Sequence, residues 1–135
     1  MPGGNQPARE LNLAKIEYFY GKESEDPQEW VEQFDRAAAA NNWPAARQRD
    51  IAASYLRGVA AQWYKSWGPA NNAITWTTNN NRGMKNYLIT RFTSPTLRAQ
   101  LMNQYRNLKQ QIGQTVDKYA AEFVRLKNRL DAANN

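Results

Sequence analysis

The side chains that could do chemistry are carboxylates, and they cluster: Glu23, Glu25, Asp26, Glu29, Glu32 and Asp35 all fall within one short stretch. Two carboxylates in an apolar pocket could act as general acid and base. The rest of the chain gives them nothing to work with. It has no His and no Cys. That excludes a His-dependent triad, a cysteine nucleophile, a zinc finger or knuckle, and a disulfide framework. The sequence contains no glycine-rich phosphate loop and no metal-ligand spacing. Most of the acidic residues lie in or just before the first turns of a predicted helix, where they meet the positive end of its dipole. The expectation is a non-enzyme without metal or cofactor.

That helix is signalled by SEDPQEW. Asp26 is a good N-cap, Pro27 suits the first helical position, and Glu29 stands where a capping box needs its acid. Trp30, Phe34, Ala37 and Ala38 follow at helical spacing, and Asn41-Asn42 ends the run. Upstream, KIEYFY predicts a short extended arm, with Ile16, Tyr18 and Tyr20 on one face and Gly21 as its end. A second helix opens at Pro44, with Ile51, Ala52, Tyr55 and Leu56 as its stripe and Gly58 as its stop. A third carries Val59, Ala60, Trp63, Tyr64 and Trp67 and ends at Gly68-Pro69. An Asn-rich loop follows, pinned to the core by Ile74 and Trp76. A fourth helix runs from Met84 to Phe92 with Tyr87, Leu88 and Phe92 inward.

Ser94-Pro95 is both breaker and cap, and the domain boundary is placed there. The fifth helix has Leu97, Leu101, Tyr105 and Leu108, and Gly113 interrupts. The sixth shows Val116, Tyr119, Phe123, Leu126 and Leu130, a heptad seam over two repeats. Two repeats are short for a free coiled coil, so an intrachain hairpin with the fifth helix is expected. No strand pattern long enough for a sheet appears after residue 20. The fold class expected is all-α.

The chain has 135 residues and a net charge of +6. A chain of this length buries roughly two-thirds of its unfolded surface, so a core is feasible. No apolar run approaches the ~18 residues of a membrane span, and no signal-peptide core follows Met1. Residues 1–14 read as a flexible leader. Residues 1–67 carry 8 basic and 9 acidic side chains, and residues 68–135 carry 10 basic and 3 acidic. That asymmetry fits a polyanion partner, self-association between unlike surfaces, or plain solvation of helix faces by Arg and Lys. The aromatics concentrate in the neutral half and the cations in the other, which argues against a base-stacking channel. Trp30, Phe34, Leu56, Trp63, Leu88 and Phe92 are the expected core, and Trp63→Ala is expected to cost roughly 3–5 kcal/mol.

These residues also form an ordered set: Phe19-Tyr20-Gly21, Asp26-Pro27 with Trp30, Tyr55-Leu56-Arg57-Gly58-Val59-Ala60 with Trp63-Tyr64, Ile74-Thr75-Trp76, then Met84-Lys85, Leu88 and Arg91-Phe92. The set resembles the Gag capsid region of gypsy-type long-terminal-repeat retrotransposons. It is more distantly similar to retroviral capsids and to the neuronal Arc capsid domain. Gln110, Gly113, Gln114, Val116, Tyr119, Phe123 and Leu126 look like the major homology region that opens a capsid C-terminal domain. Met84 stands where the family has Phe, the Asn-rich stretch 77–82 lengthens the gap after Trp76, and Gln114 replaces an acidic residue.

The resemblance implies a retroviral-capsid-like bundle. Its N-terminal domain of about four helices would span residues 15–94, and the first two helices of a C-terminal domain would span 95–135. It implies a structural protein that assembles with copies of itself into a shell, in cytoplasmic virus-like particles. Heterologous contacts between such units close into rings where the rotation allows. Apolar residues left over from the core are Val31, Ala39, Ala40, Ala45 and Ala46, and small residues permit close helix approach. Glu32, Arg36, Ala39 and Arg47 are the expected ring contacts, with Tyr119 and Phe123 on the hairpin. Two other readings stand beside this one. An Arc-like peptide groove would use Tyr18, Phe19, Tyr20 and Trp30. Sequence-blind RNA binding would use Arg98, Arg106, Lys109, Arg125 and Lys127 and would weaken steeply with salt.

Overall fold

Asp26 starts the first helix. Its carboxylate accepts hydrogen bonds from the backbone N–H of Gln28 at 3.0 Å and of Glu29 at 3.4 Å. Pro27, which has no N–H to lose, takes the first position. The computed structural model describes residues 15–112 and 116–134, without the side chains of 111–120 and 134. Its elements are α1 (Pro27–Ala40), α2 (Ala45–Ala53), α3 (Gly58–Ala70), α4 (Met84–Phe92), α5 (Pro95–Ile112) and α6 (Val116–Asn134). The chain is all-α. Among the described residues the sole β pairing outside helices is an isolated parallel bridge between Phe19 and Leu56.

α1 to α4 and the arm close around one apolar cluster in which Phe34, Trp76, Met84 and Leu88 are fully buried. Its aromatic rings meet edge to face or stacked: Phe34 with Trp76 at 4.8 Å, Phe19 with Phe92 at 5.5 Å, Trp30 with Phe34 at 5.8 Å. Such pairs add to the stabilisation from area burial alone. Trp30, Phe34, Leu56, Leu88 and Phe92 are buried as the sequence predicts. Trp63 lies at the edge instead, partly buried, stacked on Trp67 at 5.2 Å and edge-on to Phe92 at 5.8 Å. Its truncation removes less buried surface than expected, and Trp76 takes the central place.

Other differences share a physical cause. The arm makes one bridge rather than a sheet strand, so nothing imposes a two-residue alternation. Ile16 and Phe19 are buried while Tyr18 and Tyr20 are exposed. Phe19 N donates to Tyr55 O at 3.0 Å, and Arg57 N donates to Phe19 O at 2.8 Å. That pairing pulls residues 55–57 out of helix, so α2 stops at Ala53, and Gly58, with φ 56°, opens α3. Val31, expected at the surface, is buried. On α4, Leu88 and Phe92 point inward as expected and Met84 and Ile89 join them, while Tyr87 is exposed and rests on Trp67 at 5.4 Å.

α5 and α6 form an antiparallel hairpin with its own core of Leu101, Leu108, Leu126 and Leu130. Tyr105 stacks on Phe123 at 5.0 Å, as the heptad spacing places it. Ser94 caps α5 by accepting Leu97 N at 3.1 Å. The end of α6 is tied to the rest of the chain. Arg129 donates to Asp26 Oδ2 at 2.7 Å, and Thr90 Oγ1 donates to Ala132 O at 3.0 Å. The leader 1–14, Gly113, Gln114 and the side chain of Tyr119 lie outside the described residues.

Candidate functional site

Three of the expected self-contact residues, Arg36, Ala39 and Arg47, sit at the corner between α1 and α2, while Glu32 lies nearer the start of α1 and lines a cavity with Arg125 and Arg129 of α6. Glu32, Arg36 and Ala39 are exposed on α1, and Arg47 is exposed on α2, together with Ala40, Ala45 and Ala46. The corner is held stiffly. Asn41 Nδ2 and Asn41 N both reach Ala37 O at 2.9 Å, Asn42 adopts φ 54°, and Trp43 N returns to Ala38 O at 3.0 Å. Trp43 then packs on Phe34 at 5.6 Å. The result is a rigid edge of small side chains, open to close approach by another helix. Among the described residues, Glu32, Arg36 and Arg47 form no ion pair. Phe123, the hairpin contact, is partly buried in the α5–α6 seam.

The groove aromatics divide into two pairs. Phe19 and Trp30 are buried by the chain's own arm, and Trp30 Nε1 donates to Glu17 O at 2.7 Å. Tyr18 and Tyr20 line an open cavity of about 610 Å³ with Ile16 and Tyr55. Arg57 lies 4.0 Å over the Tyr18 ring and Lys22 lies 5.0 Å over the Tyr20 ring. The Glu25 carboxylate shapes this end, accepting Tyr20 N at 3.2 Å and Lys22 N at 2.7 Å.

The basic residues are not equivalent either. Arg98 is partly buried and donates to Ala133 O at 3.2 Å. Arg125 binds the Glu122 carboxylate through Nε at 3.1 Å, and Lys127 stands 3.9 Å from Asp131. The hydrogen bond from Arg125 holds the Glu122 carboxyl below the ordinary glutamate range, and the positive charges of Arg125 and Arg129 act in the same sense. Arg106, Lys109 and Gln110 are exposed on α5.

No family model, curated protein or solved structure matches the chain. Among the described residues no group of three or more acidic, His or Cys side chains could hold a metal ion, and no helix is long and apolar enough to cross a membrane.

Three polar devices escape a reading from residue types alone. Asp35, one of the clustered acids, accepts Trp76 Nε1 at 2.8 Å and Lys85 Nζ at 3.1 Å. Asp26 serves α1 with one oxygen and Arg129 with the other. Arg49 donates to Gly68 O at 3.0 Å, Asn71 O at 2.6 Å and Ile74 O at 2.7 Å, and lies 4.9 Å over the Trp67 ring. It thereby occupies the negative end of the α3 dipole. The only sequence signal was an Arg on an Ala-rich helix. Arg49→Met is expected to destabilise the fold by about 2–4 kcal/mol, because it orphans several carbonyls that a charged donor satisfies. Arg49→Lys should recover only part of this, since an ammonium lacks the planar fork. Urea unfolding of the two variants checks the order.

Proposed function

We propose that the chain is a structural, self-assembling protein of the Gag capsid type, acting in cytoplasmic virus-like particles and catalysing nothing. The observation that carries this is the fate of the ordered motif. Phe19, Trp30, Leu56, Ala60, Trp76, Met84, Leu88 and Phe92, which carry the resemblance, are all buried in one cluster. The motif residues are thus the ones that set the fold, and a rigid helical unit is what a shell needs. The α1–α2 corner supports the same reading. It offers small side chains and the cations Arg36 and Arg47 on stiff elements, suited to weak contacts that many copies make effective.

Electron microscopy of the purified protein at high salt tests the proposal. Shells or tubes are expected. Ala39→Glu should abolish them while leaving the stability of the fold within about 0.5 kcal/mol, as surface substitutions do. A protein that stays monomeric at every salt and concentration refutes the capsid reading.

A second reading is favoured by the cavity at Tyr18 and Tyr20: a module that takes a short peptide beside the arm. In that case a monomeric protein would still bind peptide, and Tyr18→Ala would weaken the binding.

A further inference from the structure

The Asn-rich loop between α3 and α4 contributes one large side chain to the core, Trp76, and residues 79–82 are exposed. It is nevertheless fixed at both ends. Met84 N donates to Thr75 O at 2.9 Å and Lys85 N to Trp76 O at 3.2 Å. Gly83 is needed at this junction, because a Cβ there would collide with the Trp76 carbonyl. Within the loop, Thr78 Oγ1 donates to Asn80 Oδ1 at 2.7 Å, and Arg82 N donates to Thr78 Oγ1 at 2.9 Å and to Asn80 Oδ1 at 3.2 Å. Asn81 takes the left-handed conformation, φ 58°, that Asn tolerates better than most residues. Asn86 Oδ1 accepts Gly83 N at 3.2 Å. The amide oxygens of Asn80 and Asn86 are therefore engaged, and their NH₂ groups remain as donors.

This ordered loop and α4 enclose a cavity of about 330 Å³ lined by Asn80, Asn81, Arg82, Asn86, Tyr87 and Thr90. That lies at the small end of the ~300–1,000 Å³ that small-ligand sites span. Tyr87 is its aromatic wall, 38 % exposed. The ring is fixed from behind: Trp67 lies 5.4 Å away and itself stacks on Trp63 at 5.2 Å. No carboxylate is among the residues that line it. From residue 51 to residue 116 the sequence has eight Lys and Arg and no Asp or Glu. Arg82 and Arg91 are exposed, and among the described residues neither forms an ion pair. Arg82 and Tyr87, five residues apart, thus put a cation and an aromatic ring on one cavity.

We infer that this cavity binds an unpaired nucleotide of a single-stranded nucleic acid. The base stacks on Tyr87, the Asn amides hydrogen-bond its edge, and Arg82 neutralises the adjacent phosphate. A stacking platform beside a cation, with no carboxylate to repel the backbone, is the arrangement such ligands require. An uncharged ring such as a sugar could stack as well, but it would leave the cationic surroundings without a counter-anion.

The test is fluorescence anisotropy with a labelled 12-nucleotide oligoadenylate, under conditions where the protein is unassembled. The parent is expected to bind, with affinity falling as salt rises. Tyr87→Ala should weaken binding about tenfold or more, and Tyr87→Phe, which keeps the ring, should not. Arg82→Gln should lower the slope of log K against log salt by about 0.7, the value for one phosphate contact on a single strand. A duplex of equal length should compete poorly, because its base faces are already stacked. Arg82 is exposed, so Arg82→Gln should melt like the parent, whereas Tyr87→Ala loses its contact with Trp67 and is compared at a temperature where circular dichroism shows it folded. The inference is overturned if the oligonucleotide does not bind, if binding is independent of salt, if Tyr87→Ala binds like the parent, or if the duplex competes equally.

Discussion

Trp76→Ala is expected to destabilise the chain by about 3–5 kcal/mol, the cost of truncating a fully buried large aromatic. Trp76 has no exposed surface and touches both Trp30 and Phe34. Its loss opens a cavity that the rigid α1 and α4 cannot close. It also frees the loop, whose carbonyls at Thr75 and Trp76 receive the first N–H groups of α4. Trp76→Phe separates two contributions. It keeps a ring and removes the donor to Asp35, which still has Lys85 at 3.1 Å. The expected cost of the missing hydrogen bond is about 1 kcal/mol, beyond what the smaller ring loses in packing. Urea titration should show a lower midpoint with an unchanged slope. If Trp76→Ala unfolds at the midpoint of the parent, the core described above is wrong.

Arg129→Met should cost about 3 kcal/mol, because it leaves Asp26 partly buried and without its cation. The two side chains are only 14 % and 19 % exposed. Asp26→Ala should cost more, by roughly another 1 kcal/mol, since it also removes the N-cap of α1. Asp26→Asn distinguishes the roles: Asn caps as well as Asp does, so that variant loses only the charge. The predicted order of stability is parent, then Asp26→Asn, then Asp26→Ala. Equal losses for Asn and Ala would mean that the ion pair outweighs the cap entirely. No loss in either would remove the tie between α1 and α6.

The helices were legible because their signals are local. Asp26-Pro27 at a start, Asn41-Asn42 at an end, and Ser94-Pro95 between α4 and α5 each act within a turn, whereas Gly68-Pro69, expected to end α3, lies inside it and the helix runs on to Ala70. The heptad stripe likewise predicted that Phe123 would meet the α5 seam, where it stacks on Tyr105. What was not legible depends on partners far along the chain. The early stop of α2 follows from a bridge to Phe19, a residue in the arm. The contact of Tyr87 with Trp67, twenty residues away on α3, is likewise a matter of tertiary placement. The expected separation of aromatics from cations has a local exception at Arg82 and Tyr87, which lie five residues apart and line one cavity. α4 carries Tyr87 against α3, and the Asn-rich loop brings Arg82 to the same cavity. Of the five basic residues read as nucleic-acid contacts, Arg98, Arg125 and Lys127 have partners within the chain. A count of charges cannot foresee that.

The Asp26–Arg129 pair joins residues 103 positions apart, and this has a consequence for the order of events in folding. The loop it closes is among the longest the chain can make, so its entropic cost falls late, after local helices and the first core have formed. A nascent chain that has emerged only as far as α4 has Asp26 ready to cap α1, with its second oxygen still in water. The N-terminal unit can therefore take shape while the hairpin is still being made, and the tie acts as a closing step. Arg129→Met should then refold at nearly the rate of the parent and unfold faster, the kinetic signature of a contact formed after the transition state.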